Sequence, residues 1–255
     1  MLVAGASGGV GQLVVAGLLA RGVPVRALVR SREKSAALFA GAELELVAVD
    51  LRDAAALRAS GACTGLAGVV CATGTTAFPS LRWLGGNPQE TDSDAVRNLV
   101  ACVLAGSPQL ARFVLVSSVG TSPARRSAPP YSVLNAFGVL SAKAEGEAAL
   151  LKSGLPYTLL RPGRLTDGPY TSYDLNTLLQ ATSGTRRAAV VTRDDTGDAQ
   201  LEASRLVVAA AAVAALYSAP ALGGAFDLAS REGPSTGGEQ AAWDALFAGA
   251  QRGKG

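Results

Sequence analysis

Strand-like and helix-like segments alternate along most of this chain. Met1–Ala4 reads as a short buried strand and Gln12–Arg21 as an apolar helix. Pro24–Arg30 is a second strand, followed by a helix over Ser31–Ala40. Glu43–Val49 is a third strand, ending at Asp50, and Asp53–Ala59 a short helix. Leu66–Ala72 predicts a fourth strand, Asp92–Ala105 a longer helix, and Arg112–Ser118 a fifth strand. The fifth is continuously apolar, as expected when both sheet faces are covered. Leu134–Ser153 predicts a helix and Pro156–Arg161 a sixth strand. This succession calls for an α/β fold with a doubly wound parallel sheet.

Beyond Pro162 the pattern loosens. Leu175–Thr182 and Ser204–Tyr217 look helical, Ala188–Thr192 and Ala225–Ala229 strand-like, and Ala241–Gln251 fits a closing amphipathic helix. We expect a single domain over 1–255, with roughly 163–255 contributing a small substrate-side lobe.

At 255 residues, 49% of them hydrophobic and 17% charged, the chain can bury a sizeable core and is not of disordered composition. Leu206–Phe226 has no charged residue, but Ser218, Pro220, Gly223 and Gly224 interrupt it, so a packing helix is expected rather than a membrane span. The net charge is +3, and Arg125-Arg126 and Arg186-Arg187 are isolated pairs, so no basic stripe marks a nucleic-acid partner. The chain has no histidine, which excludes a Ser-His-Asp triad, an HExxH zinc site and an imidazole base. Cys63, Cys71 and Cys102 lack CxxC spacing and indicate neither a metal site nor a disulfide framework.

The chemistry concentrates in Gly5-Ala6-Ser7-Gly8-Gly9-Val10-Gly11, between the first strand and the first helix. Such a loop holds a pyrophosphate. Gly5 permits the tight turn, Gly8 lets the main chain approach the phosphates, and Gly11 lets helix and strand pack, while the helix's free N–H groups face the anion. At the end of the second strand, where NAD-preferring sheets carry a carboxylate, stands Arg30, with Ser31, Arg32 and Lys34 nearby. A guanidinium can bind a 2′-phosphate, so NADP(H) is expected over NAD. Asp50 ends the third strand at the same edge and can accept from the adenine amine; Ala72, Thr73 and Gly74 end the fourth, and Ser117 and Ser118 the fifth. All lie at the carboxyl edge, where open α/β sheets bind ligands.

Taken together, GASGGVG, LVR after the second strand, VDL at 49–51, LVSSVG at 115–120 and SGLPYTLLRPGRLTDGP at 153–169 resemble the atypical, NmrA-like short-chain dehydrogenase/reductases of chloroplasts and cyanobacteria. The segment TTAFPSLRW at 75–83 is similar to a plant and algal branch. The resemblance implies a Rossmann-like fold, a chloroplast location, and cofactor contacts from Gly5, Ser7, Gly8, Gly9, Val10, Gly11, Arg30, Asp50, Leu51, Ala72, Thr73, Gly74, Ser117, Lys143, Pro162 and Gly163. Catalytic members of this superfamily use a Tyr-x-x-x-Lys helix and a serine after the fifth strand. Lys143 matches the lysine and Ser117 or Ser118 the serine, but the tyrosine position holds Val139, which cannot transfer a proton. Tyr131 can substitute only if the loop before that helix folds inward. Asn135 reads equally as a helix cap or a site residue, and Thr166, Asp167, Tyr170 and Tyr173 as a substrate mouth or a surface turn.

Two functions stay open at this point. One is an NADP(H)-binding subunit or assembly factor with a protein partner, such as a chloroplast membrane complex. The other is an NADPH-dependent reductase of a quinone, carbonyl or isoprenoid-like small molecule. A first strand that starts at Met1 is short for a central strand, which suggests upstream sequence, a transit peptide included.

Overall fold

In the computed structural model, residues 1–75, 86–165, 187–193 and 202–252 are described. They form β1 (Leu2–Ala4), α1 (Gly9–Leu19), β2 (Arg26–Val29), α2 (Arg32–Leu38), β3 (Glu45–Ala48), α3 (Ala54–Ala59) and β4 (Gly68–Cys71). A wide π-turn, Gln89–Asp94, then leads into α4 (Ala95–Gly106), followed by β5 (Arg112–Val116), α5 (Pro123–Arg126), α6 (Tyr131–Leu134), α7 (Val139–Ser153) and β6 (Tyr157–Pro162). The chain continues through β7 (Arg164–Leu165), β8 (Ala188–Arg193), β9 (Glu202–Ala203), α8 (Arg205–Ala215), β10 (Ala225–Arg231) and α9 (Gln240–Arg252).

One sheet runs in the order β3-β2-β1-β4-β5-β6-β10-β8, and β7 pairs with β9 separately. Every neighbour in the large sheet is parallel except β8 against β10. Strand order reverses between β1 and β4, which opens a crevice at their carboxyl ends. The apolar strands serve two cores by alternation. Val3, Val70, Val114 and Leu160 face one helix layer, whereas Leu2, Val69, Phe113 and Leu159 face the other. α1 meets α8 in the first layer, where Gly17 leaves room for Val213. The second layer is built from α4 and the buried residues of α3 and α7.

Three boundaries differ from the sequence-based expectation. α1 begins at Gly9 rather than Gln12, so the last glycines belong to its first turn. The helix expected over 134–153 is broken, with α6 and α7 separated by Gly138 at φ +77°. Part of the region assigned to a substrate-side lobe joins the main sheet: β10 pairs β6, and β8 forms the antiparallel edge. Alternate residues Phe226 and Leu228 are buried in the first core, which explains the pairing. Within that region 166–186, 194–201 and 253–255 lie outside the described residues, and with them Thr166, Asp167, Tyr170, Tyr173 and the helix expected over 175–182. Among the described residues no helix is long and apolar enough to cross a membrane.

Candidate dinucleotide site

The loop after β1 is held by close packing. Gly5 adopts φ +74°, and a Cβ there would lie 2.7 Å from the carbonyl oxygen of Ala72. The first glycine is thus required for both conformation and space. A Cβ on Gly11 would be driven into the Gly5 carbonyl, so the first turn of α1 rests directly on the loop. The Gly8 N–H donates to Gly5 O at 2.9 Å, and buried Gln12 donates from Nε2 to Ser7 O at 2.8 Å. Gln12 was not expected as a loop clamp; only its place inside a glycine-rich turn hinted at it. Ser7 and Gly8 remain exposed and Val10 is buried beneath them. The first-turn amides of a helix have no intrahelical acceptors, which leaves this end suited to an anion.

At the exits of β2 and β3, Arg30 is exposed and lies close enough to Asp50 to lower its pKa. The larger influence on Asp50 is Arg52, whose Nη2 stands 2.6 Å from Oδ2 and whose hydrogen bonds hold the carboxyl below its ordinary range. Arg52 also reaches Glu90 at 3.5 Å. Two other members of the basic segment have local tasks. Ser31 caps α2 by accepting from the Lys34 N–H, and Arg32 donates to Leu46 O. Leu51 is buried, and its carbonyl accepts from Asn98 at 3.0 Å.

The β4 exit brings Ala72 and Thr73 against Gly5 of the glycine loop, and Gly74 follows them. Lys143, on α7, reaches the same place. Its Nζ lies 2.6 Å from Asp92 Oδ1, and the two side chains are 12% and 1% exposed. Asp92 also accepts from the Thr75 N–H and hydroxyl. A Cβ on Gly74 would sit 2.9 Å from Lys143 Nζ, so the missing side chain leaves room for this pair. Asp92 escaped the sequence reading because an acid at a helix start is commonplace. α7 is anchored by a second buried pair: Glu147 accepts from Arg161 of β6 at 2.7 Å and from Thr121 at 3.1 Å.

Ser117, just past β5, is buried, and among the described residues its Oγ has no hydrogen-bond partner. The Ser118 hydroxyl turns to Val119 O at 3.1 Å. Tyr131 is also buried, with its ring packed on Gly120 in a small apolar cluster with Val119 and Leu140. Val139 is buried at the start of α7. Asn135 acts as a cap, accepting from the Ser141 N–H at 3.0 Å. At the β6 exit, Pro162 O accepts from Val119 and the Gly163 N–H donates to Leu228 O, so the sheet already uses these backbone groups.

Residues 5–218 match a family model described as NAD(P)H-binding. The chain belongs to that family. Its fold and glycine loop place it with the NmrA-like, atypical short-chain dehydrogenase/reductases, as the motifs imply. It is similar to Protein TIC 62, chloroplastic, of Oryza sativa subsp. japonica: 36% identical over 178 residues, covering 64% of this chain and 34% of that protein. It is also similar to an uncharacterized chloroplast protein of Arabidopsis thaliana, 36% identical over 177 residues, covering 67% of this chain and 61% of the relative. The chain therefore spans about a third of the TIC 62 protein. In fold it is similar to a putative NAD-dependent epimerase/dehydratase from Bacillus halodurans, with a TM-score of 0.71, 22% identity, and coverage of 91% and 94% of the two chains.

The residues present fit a family dinucleotide. The glycine cradle is one that a Cβ would fill at Gly5 and Gly11, and an orphaned buried hydroxyl, Ser117 Oγ, stands at the carboxyl edge. When bound, a nicotinamide dinucleotide supplies hydride chemistry.

Proposed function

We propose that this NAD(P)H-binding chain takes NADP(H) and works as a dinucleotide-binding subunit, without the proton-donating tyrosine of catalytic relatives. The observation that carries this reading is Val139: an apolar, buried side chain stands one helical turn before Lys143, where a phenol would act. The glycine loop serves the diphosphate, Arg30 the 2′-phosphate and Asp50 the adenine. Leu51, Ala72, Thr73 and Gly74 line the path, and Lys143 reaches the nicotinamide ribose. Retention of these groups with loss of the proton donor separates binding from turnover. Likeness to chloroplast TIC 62 proteins supports a chloroplast protein assembly as the partner.

A reductase reading is favoured by two other observations. Ser117 Oγ is buried and unpaired among the described residues, and Tyr131 is turned inward beside Gly120. On that reading they serve as a substrate-orienting hydroxyl and a second phenol. Calorimetric titration with NADPH and NADH, followed by NADPH oxidation against quinones, carbonyls and flavins, decides between the readings. NADPH preference without turnover supports the subunit. Turnover abolished by Tyr131→Phe in a protein that still binds NADPH establishes the reductase, and equal affinity for the two dinucleotides rejects the assignment of Arg30.

A further inference from the structure

A buried arginine from the far end of the chain reaches the glycine loop. Arg205 is the first residue of α8 and is only 5% exposed. Its side chain crosses Gly9: a Cβ on that glycine would meet Arg205 Cδ at 3.0 Å and Nε at 3.1 Å. The start of α8 is fixed from both sides. The Ser204 N–H donates to Ser230 Oγ of β10 at 2.8 Å, and Ser204 Oγ accepts from the Leu206 N–H at 3.2 Å. With α8 packed along α1, the backbone of Arg205 cannot drift from the loop.

We infer that Arg205 is a diphosphate-binding residue, bringing a guanidinium to the glycine loop across Gly9. The inference rests on the proposed dinucleotide reading and deepens it. The stretch from Gly5 to Gln12 contains no charged residue, so the loop itself offers an anion only backbone dipoles. A diphosphate carries full negative charge, and a planar fork of N–H donors matches phosphate oxygens better than dipoles alone. Gly9 is accordingly a clearance residue: its missing side chain lets the arginine lie against the first turn of α1.

The test is equilibrium binding of NADPH by fluorescence titration, with adenosine 2′-monophosphate, which lacks the diphosphate, as the comparison ligand. Arg205→Ala should weaken NADPH by roughly 10- to 100-fold, with partial recovery in Arg205→Lys and a shallower dependence on salt. Adenosine 2′-monophosphate affinity should change by less than about twofold. Gly9→Ala should also weaken NADPH, but much less so in the Arg205→Ala background, since the displaced side chain is already gone. Unchanged NADPH affinity in a folded Arg205→Ala protein, or equal losses for both ligands, overturns the inference while leaving the dinucleotide reading intact. Should Arg205→Ala fail to fold, the Arg205→Lys salt dependence and Gly9→Ala carry the decision, and unchanged NADPH binding in both overturns it. A wild-type protein that binds no dinucleotide overturns both.

Discussion

The Lys143–Asp92 pair offers the sharpest test of how this site is held. Replacing Asp92 by alanine leaves an ammonium, 12% exposed, without its 2.6 Å carboxylate partner, and also strips Thr75 of its acceptor. Breaking a buried pair from one side costs roughly 3–5 kcal/mol. Lys143 retains some access to water, so the lower part of that range applies. In a chain of this size, 1 kcal/mol shifts Tm by roughly 2–4 °C, so Asp92→Ala should melt about 6–12 °C lower. Lys143→Ala should cost less, since Asp92 keeps two hydrogen bonds from Thr75. The double variant should be less destabilised than the two single losses added, by about 1–3 kcal/mol. Thermal and urea unfolding of the four proteins supply the cycle. Additivity to within about 0.5 kcal/mol would refute the pair as a coupled unit. Asp92→Asn adds a functional readout. It keeps an acceptor for Thr75 but frees the ammonium, so NADPH affinity should fall less than in Lys143→Ala while the protein remains folded.

Three further outcomes follow from the geometry. Ser117→Ala should leave the ligand-free protein as stable as before, or more so by up to about 1 kcal/mol, because it removes an unsatisfied buried hydroxyl; a loss above about 2 kcal/mol by denaturant titration would show that Oγ has a structural partner. Gly11→Ala places a methyl against the Gly5 carbonyl, so calorimetry should show NADPH affinity reduced at least about tenfold and stability lowered by roughly 1–3 kcal/mol. Asp50 is held below the ordinary carboxylate value of 3.8, so its contribution is present above that pH and disappears as pH falls through the depressed value. Asp50→Asn should therefore be less stable than wild type by under about 1 kcal/mol at neutral pH, the pair being about one-third exposed, and the gap should close below pH 3.8 in acid unfolding series.

The inner strands were legible because they lie between two helix layers and so read as apolar runs, from Leu2–Ala4 to the β6 segment at Tyr157–Pro162, whereas the edge strand β3 showed itself by alternation. The place of β8 was not, since an antiparallel edge is chosen by its pairing with β10 rather than by its own residues. The break before α7 was hidden by the helix-forming residues on both sides of Gly138, whose positive φ is a tertiary outcome. Within the site, the glycine loop announced itself because all its parts are neighbours in sequence. Asp92 and Arg205 did not, because each acquires meaning only from a distant partner, Lys143 in one case and Gly9 in the other. Arg52 was hidden for a simpler reason: beside Asp50, it looks like a solvated charge until its side-chain contacts to that carboxylate are seen.

These partners bear on how the family signature should be read. In a Tyr-x-x-x-Lys helix the lysine is commonly treated as a sign of turnover, since it lowers the tyrosine's pKa. On the proposed reading Lys143 is that lysine and Val139 stands in the tyrosine's place, and Lys143 has another use: it neutralises Asp92, a carboxylate that is 1% exposed and that accepts from Thr75 at the β4 exit. Loss of Lys143 would bury an unpaired charge whether or not the protein turns over a substrate. Its retention is therefore weak evidence for catalysis and stronger evidence for an intact binding crevice. The discriminating group is the proton donor, and among the described residues Tyr131, packed on Gly120 three residues past Ser117, is the phenol with which to test that alternative. Tyr131→Phe changes the phenol without emptying the space it fills, so it separates loss of proton transfer from loss of packing in a way that Lys143→Ala cannot.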